Sequence, residues 1–343
     1  MKVSIPVVLC ILLAVTSSIY FFKTSKPTER VSKELRQQFA AWSNKHRRLY
    51  STPAELTYRI EIFGQELKFV ERSNQLYKKI AYERGVIVIR EPYELNVFAD
   101  LDKAEFTAMY TGHKSSGDVE EDVPVQALQS APVLRQQPVY VPRLRDQKKC
   151  GSCWAFATIA LAEKAYWDVY AQQVDMAHQE LLDCDKMDGG CDGGATVRGL
   201  YYINNNGITT AQEYPYLAAN SECKAMNLTR LPIKGKMTPR QVRFAASSAV
   251  AKANAGQINS VSLYASGKFR YLAPTEEVYD ASLAGEECDH ETNHMITIIG
   301  TKDNALKILN SWGDRWGVNG TKTIIPCRAD NFLGASTILV STK

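Results

Sequence analysis

The apolar positions of this chain change period several times, and each change marks an element. Lys2 precedes an uncharged run from Val3 to Phe22, closed by Lys23. Residues 30–50 then read as a helix carrying Leu35, Phe39 and Trp42. After Pro53, a residue suited to a first helical turn, Leu56, Ile60, Phe63, Leu67, Val70 and Tyr77 recur at helical spacing as far as about Tyr82. They predict one long helix with a single buried stripe, on which Glu55 and Arg59 form an i,i+4 pair. Residues 111–138 are poor in large apolar groups. They hold Gly112, Ser115, Ser116, Gly117, Pro124, Pro132, Pro138 and an acidic patch from Asp118 to Asp122, a composition that suits an exposed, cleavable linker. A further helix runs from Ser152 to about Tyr170, with Phe156, Ile159, Ala160, Trp167 and Tyr170 available for burial. The β-branched run after His294 reads as a buried strand, and Ala305 to Leu309 as a second one.

Composition narrows the picture. With 343 residues, the chain exceeds one average domain. Lys and Arg number 41 against 37 Asp and Glu, a scattered excess of +4. The densest basic cluster, Lys45-His46-Arg47-Arg48, is too short for a nucleic-acid stripe and reads as a solvated helix face. The apolar run 3–22 behind a basic residue is a secretory address. At about 20 residues it is long for a cleaved signal and just long enough to span a bilayer. Pro6 and Thr16-Ser17-Ser18 weaken the spanning alternative. Either way the remainder faces a lumen or the exterior. Of eight cysteines, Cys10 lies in the apolar run and seven lie between 150 and 327. Seven is odd, which predicts three disulfides and one free thiol in an oxidising compartment.

Cys153 sits in the first turn of the 152–170 helix. There the helix dipole favours an anion, so thiolate is favoured over thiol. A thiolate nucleophile needs a proton acceptor, and that acceptor needs an orienting group. The chain has five histidines: His46, His113, His178, His290 and His294. His294 follows Asn293 and opens a strand, and Asn310 ends the next apolar run. His294 is the candidate base, with His290 the competitor. His46, His113 and His178 read as ordinary surface or core histidines. No second closely spaced Cys/His pair suggests zinc, and no metal or other cofactor is expected.

The stretch Cys150-Gly151-Ser152-Cys153-Trp154 resembles the nucleophile signature of the papain/cathepsin cysteine proteases, and His294 follows Cys153 at that family's spacing of roughly 130–150 residues. Asn310-Ser311-Trp312-Gly313 resembles the family's N-S-W-G motif. Leu182-Asp183-Cys184 and Gly190-Cys191-Asp192-Gly193-Gly194 are similar to its L-D-C and G-C-x-G-G blocks. The long helix is similar to the cathepsin L-like propeptide pattern through Glu55, Arg59, Phe63, Glu66, Val70 and Asn74. Glu66 replaces an Asn there and Val70 an Ile. Glu94-Leu95-Asn96-Val97-Phe98-Ala99-Asp100 resembles the second propeptide motif, with Glu94 in place of Gly. Between 231 and 287 the likeness fades.

The resemblance implies an α+β fold: a helical subdomain bearing Cys153 against a β-barrel-like subdomain bearing His294 and Asn310. It implies a signal peptide or anchor at 1–22, an α-helical inhibitory propeptide at 28–110, a linker with the activation cleavage at 111–128 and a peptidase domain at 129–343. It implies roles: Cys153 as nucleophile, His294 as base, Asn310 as orienter, Gln147 as oxyanion donor and Trp312 as a shield over the His–Asn bond. Gly193 and Gly194 would admit substrate backbone, and Ala195 and Thr196 would face Met295 across a mostly apolar pocket. The family pairing implies disulfides Cys150–Cys191, Cys184–Cys223 and Cys288–Cys327. Cys327 is the poorest match, because Leu333 occupies the family's position. Asn227 and Asn319 head glycosylation sequons. The expected activity is endopeptidase, made as a zymogen, in a lysosome- or vacuole-like compartment or outside the cell. The expected partners are polypeptides, the chain's own propeptide and cystatin-like inhibitors, with no nucleic acid, and with membrane only through residues 3–22. The competing readings are a catalytically silent papain-like binding module and a thiol–disulfide oxidoreductase using Cys150 and Cys153.

Overall fold

A computed structural model describes residues 31–115, 140–243, 258–265, 267–285, 291–302, 305–325 and 336–342. The apolar run 3–22 with Cys10, residues 116–128 of the predicted cleavable linker, His290, and Cys288 with Cys327 lie outside these residues. Among the described residues, no helix is long and apolar enough to cross a membrane.

The chain divides into two compact units, residues 1–64 and 65–343. The first contains α1 (Lys33–Lys45) and the start of α2 (Pro53–Glu83). Ser32 caps α1 by accepting from the Leu35 amide. At the head of α2, the Thr52 hydroxyl accepts from the Glu55 amide and the Glu55 carboxylate accepts from the Ser51 amide, so Glu55 serves the helix start. The core of this unit is aromatic: the ring centroids of Phe39 and Trp42 lie each 5.4 Å from that of Phe63. The predicted stripe is buried at Ile60, Phe63, Val70 and Tyr77, but Leu56 is exposed at 39%. A residue in the first turn has no preceding turn to pack with, and the stripe begins one turn later.

The second unit contains the rest of α2, α3 (Lys103–Tyr110), α4 (Cys153–Tyr170), α5 (His178–Cys184), α6 (Thr196–Asn206) and seven strands. These are β1 (Met237–Arg243), β2 (Asn259–Leu263), β3 (Tyr279–Asp280), β4 (His294–Lys302), β5 (Ala305–Leu309), β6 (Thr321–Ile325) and β7 (Ser336–Thr342). They form one sheet in the order β1-β7-β2-β4-β5-β6-β3, antiparallel except for β3 beside β6. Helix α4 is buried on every side from Cys153 to Tyr166, as expected of a helix packed by neighbours all round. It packs on α5 and α6 on one side and on β2, β4 and β7 on the other. Its buried Glu163 is matched by Arg145 at 2.6 Å. The fold is α+β, a helical half against a sheet half, with α4 between them. Disulfides Cys150–Cys191 and Cys184–Cys223 are formed, each closing a loop worth roughly 4 kcal/mol in chain entropy.

Candidate active site

The site lies where the start of α4 meets the start of β4. Cys153 is the free cysteine among the described residues and is fully buried. Ser152 does not cap the helix; its hydroxyl lies 2.7 Å from the Tyr216 hydroxyl instead. The first-turn amides are therefore left to the sulfur, which the backbones of Met295, Trp154, Cys153 itself and Gly112 reach and stabilise as an anion. Met295 directly follows His294, so helix end and strand start share one site.

On the sheet side, β4 and β5 run antiparallel and bring His294 to Asn310. Nε2 of His294 lies 2.8 Å from Oδ1 of Asn310. Oδ1 also accepts from the Ser311 amide at 2.8 Å. An amide oxygen can only accept, so Nε2 carries the proton and Nδ1 is the basic nitrogen. Nδ1 is buried and has no hydrogen bond. The Trp312 ring lies over the imidazole, with centroids 4.6 Å apart. Gln147 is fully buried. Its Nε2 donates to the Cys150 carbonyl at 2.9 Å and its Oε1 accepts from the Ser311 hydroxyl at 2.6 Å. That leaves one N–H of the amide beside the nucleophile's helix end.

A strap from α3 closes the cleft. The amides of Gly112 and His113 both donate to the Asn293 carbonyl at 2.9 Å. Gly194 donates to the Gly112 carbonyl at 2.8 Å, and Lys114 donates to the Gly194 carbonyl at 2.9 Å. A Cβ on Gly112 would fall 1.9 Å from the Gly151 carbonyl oxygen, so only glycine passes here. Residues 111–115 open the stretch whose composition reads as an exposed linker, yet they are bonded into the cleft. Above them Phe98, Phe106 and Tyr110 pack edge-on against Trp312, whose Nε1 donates to the Tyr110 carbonyl at 3.0 Å.

This covering reverses the protonation expected from the helix dipole alone. Burial pushes the Cys153 thiol up to about 12 against the backbone donors. Burial also pulls His294 down to about 4, against the raising effect of Asn310. In the strapped protein the pair is therefore thiol and neutral imidazole. Here the loss of water outweighs the helix dipole.

Of the predicted wall residues, Gly193 and Gly194 flank the strap, and Ala195 and Met295 are buried beside them. Thr196 faces inward: it is 1% exposed and its hydroxyl donates to the Trp154 carbonyl. Asn227 and Asn319 are exposed. His178 is a core histidine against Phe156, with ring centroids 4.2 Å apart. His113 departs from its ordinary reading. It lies in the strap, its Nδ1 is buried without a partner, and burial and then Arg198 pull it down to about 4. Its position in the strap gave no local sequence signal.

The oxidoreductase reading fails on the Cys150–Cys191 bridge, which leaves Cys150 no thiol. Among the described residues, no cluster of three His, Cys, Asp or Glu side chains could hold a metal ion.

Known proteins resemble this chain in sequence and in fold. Residues 131–336 match the papain family cysteine protease domain, and residues 39–106 match the cathepsin propeptide inhibitor domain (I29). Chymopapain of Carica papaya is 32% identical over 83% of this chain and 79% of its own length. Papain of the same plant is 30% identical over 84% of this chain and 81% of its own. A recombinant stem bromelain precursor has the same fold, with a TM-score of 0.66 over 90% of this chain and 99% of its own at 24% identity. The chain belongs to the papain family of cysteine proteases and carries that family's inhibitory propeptide domain.

Proposed function

We propose that this cysteine endopeptidase zymogen works through Cys153, His294, Asn310 and Gln147, with residues 28–110 as propeptide, 111–128 as the linker cut on activation and 129–343 as the peptidase. Removal of the strap readmits water, which lowers the cost of charge, and the proton passes from Cys153 to Nδ1 of His294. The thiolate attacks the peptide carbonyl carbon. The resulting oxyanion accepts from the Gln147 side chain and the Cys153 amide. The imidazolium gives its proton to the leaving nitrogen as the C–N bond breaks, leaving a thioester. Water then loses a proton to His294, attacks the thioester and releases the acid product. Asn310 holds the ring in the required tautomer under Trp312. Gly193, Gly194, Ala195 and Met295 line the substrate side, while Thr196 supports that wall from behind through its bond to the Trp154 carbonyl.

The observation that carries this reading is the 2.8 Å contact between His294 Nε2 and Asn310 Oδ1, which leaves Nδ1 as the basic nitrogen. The chain passes through the secretory pathway to an acidic lysosome- or vacuole-like compartment or to the exterior, with Asn227 and Asn319 open to glycosylation. Cystatin-like inhibitors fit the uncovered cleft. The test is Cys153→Ala. It should give an intact, inert precursor, while the activated parent is labelled stoichiometrically by an epoxide thiol reagent. Peptidase activity in the variant, or no labelling of the parent, overturns the reading and leaves a silent binding module.

A further inference from the structure

Between the Cys184 bridge and the Gly193-Gly194 segment lie two buried carboxylates that the chemistry above does not use. The Asp188 side chain is fully buried. Its Oδ1 accepts from the Ala195 amide at 3.0 Å and from Nε and Nη2 of Arg198 at 2.8 and 2.6 Å. Its Oδ2 is buried with no donor. Asp185 is 4% exposed, and the Met187 amide donates to its Oδ1 at 3.0 Å. Its Oδ2 is likewise buried with no donor, and the two carboxylates lie within hydrogen-bonding reach of each other. Two acceptors that face each other with no donor between them repel unless a proton lies there.

We propose that Asp188 is a positioning residue for the peptide-binding segment Gly193–Ala195, and that it holds this place by sharing one proton with Asp185. The proposal rests on the protease reading. Its geometry is direct: a Cβ on Gly194 would fall 2.7 Å from the Asp188 Cγ, so the segment lies against this carboxylate. Gly194 is also the residue whose amide and carbonyl bond the chain lying in the cleft. The same stretch carries Cys191, bridged to Cys150 three residues before the nucleophile.

The surrounding charges leave the shared proton in place. Arg198 on α6 is the cation that touches the pair. Lys186 turns away and donates to the Asp183 carbonyl at 2.6 Å. From the strap, the Lys114 ammonium lies 3.6 Å from where a Gly189 Cβ would be, with the Asp192 Cβ 3.5 Å from the same point. His113 faces the Arg198 charge. Burial first, with the Asp188 charge also raising it, lifts the Asp185 carboxyl to about 6 from its ordinary 3.8. A raised carboxyl contributes its stability below the ordinary value and loses it as pH climbs through about 6. Above that, two buried anions face one guanidinium and the segment shifts. Peptide binding weakens, while Cys153, His294 and Asn310 do not touch the pair.

The test is kcat and KM of the activated enzyme from about pH 5 to about pH 7, with active sites counted by an epoxide thiol reagent. A preparation without titratable sites rejects the protease reading, not this one. In the parent, KM should rise about tenfold over that range, and kcat much less. Asp185→Asn, which needs no proton and can donate to Asp188, should keep KM within about twofold. Asp188→Asn should also flatten the profile, at a higher KM throughout because Arg198 and Ala195 lose their anchor. In the Cys153→Ala precursor, Asp185→Asn should remove the fall in Tm between about pH 4 and pH 6. A parent KM that stays flat, or variants whose KM and Tm follow pH as the parent's do, overturns the proposal.

Discussion

The carboxylate of Glu66 lies 2.5 Å from the guanidinium of Arg270. Both are largely buried. Glu66 also accepts from the Tyr271 hydroxyl at 3.0 Å, and Arg270 donates to the Leu101 carbonyl at 3.3 Å and stacks over Phe106. Glu66 stands where the cathepsin L-like propeptide pattern has Asn. Arg270 lies in the stretch where the likeness to the family fades. The two departures answer each other: a charge in the propeptide meets a charge in the peptidase.

Glu66→Ala would leave Arg270 buried and uncompensated, at a cost of about 3–5 kcal/mol. In the Cys153→Ala precursor this should appear as a Tm lower by several degrees. In the active precursor it should appear as faster self-processing at a given pH. Unchanged Tm and processing would show that the pair contributes nothing to holding the propeptide.

Asn310→Ala should leave His294 free to turn and to exchange tautomers. The expected loss in kcat is on the order of 10²-fold, with KM little changed. Steady-state kinetics on a peptide substrate at fixed pH reads this directly.

Gln147→Ala removes a preorganised donor but no group that touches the substrate ground state. It should cost about 10²–10³ in kcat while epoxide labelling remains stoichiometric. A variant that loses labelling as well would point to collapse of the Cys150–Ser152 turn, which Gln147 also braces.

His113 gives the acid response of the strap a sign. Its imidazole is held neutral in the cleft, down to about 4, whereas an uncovered histidine titrates near its ordinary 6.5. The uncovered state therefore takes up a proton that the covered state refuses, and acidification between these two values favours opening. His113→Phe should fill the same space without titrating. Its precursor should process more slowly than the parent near pH 5 and at a similar rate near pH 7. Equal rates at both pH values would remove His113 from the acid response.

What could be read from the sequence was what is local. The Cys153 helix, the His294 strand and the Asn310 motif each announce themselves within a few residues, because propensity, spacing and motif coincide there; the pairings Cys150–Cys191 and Cys184–Cys223 came only with the resemblance to the family. The order of the sheet, with β7 between β1 and β2, has no such local trace. Neither does the Glu66–Arg270 pair, since a buried ion pair separated by most of the chain is decided only by packing. His113 looked ordinary for the same reason. The protonation of Cys153 was misjudged because the helix dipole is written in the local sequence, while the loss of water is imposed by a strap more than thirty residues upstream.

Both polar groups of the Gly112 backbone are engaged. Its carbonyl oxygen is already engaged by the Gly194 amide, and its own amide by Asn293. A backbone held at both groups keeps its place beside the start of the Cys153 helix. The molecule thus keeps its own chain across the helix end that carries its nucleophile. Keeping it there are four backbone hydrogen bonds and a position that tolerates no side chain.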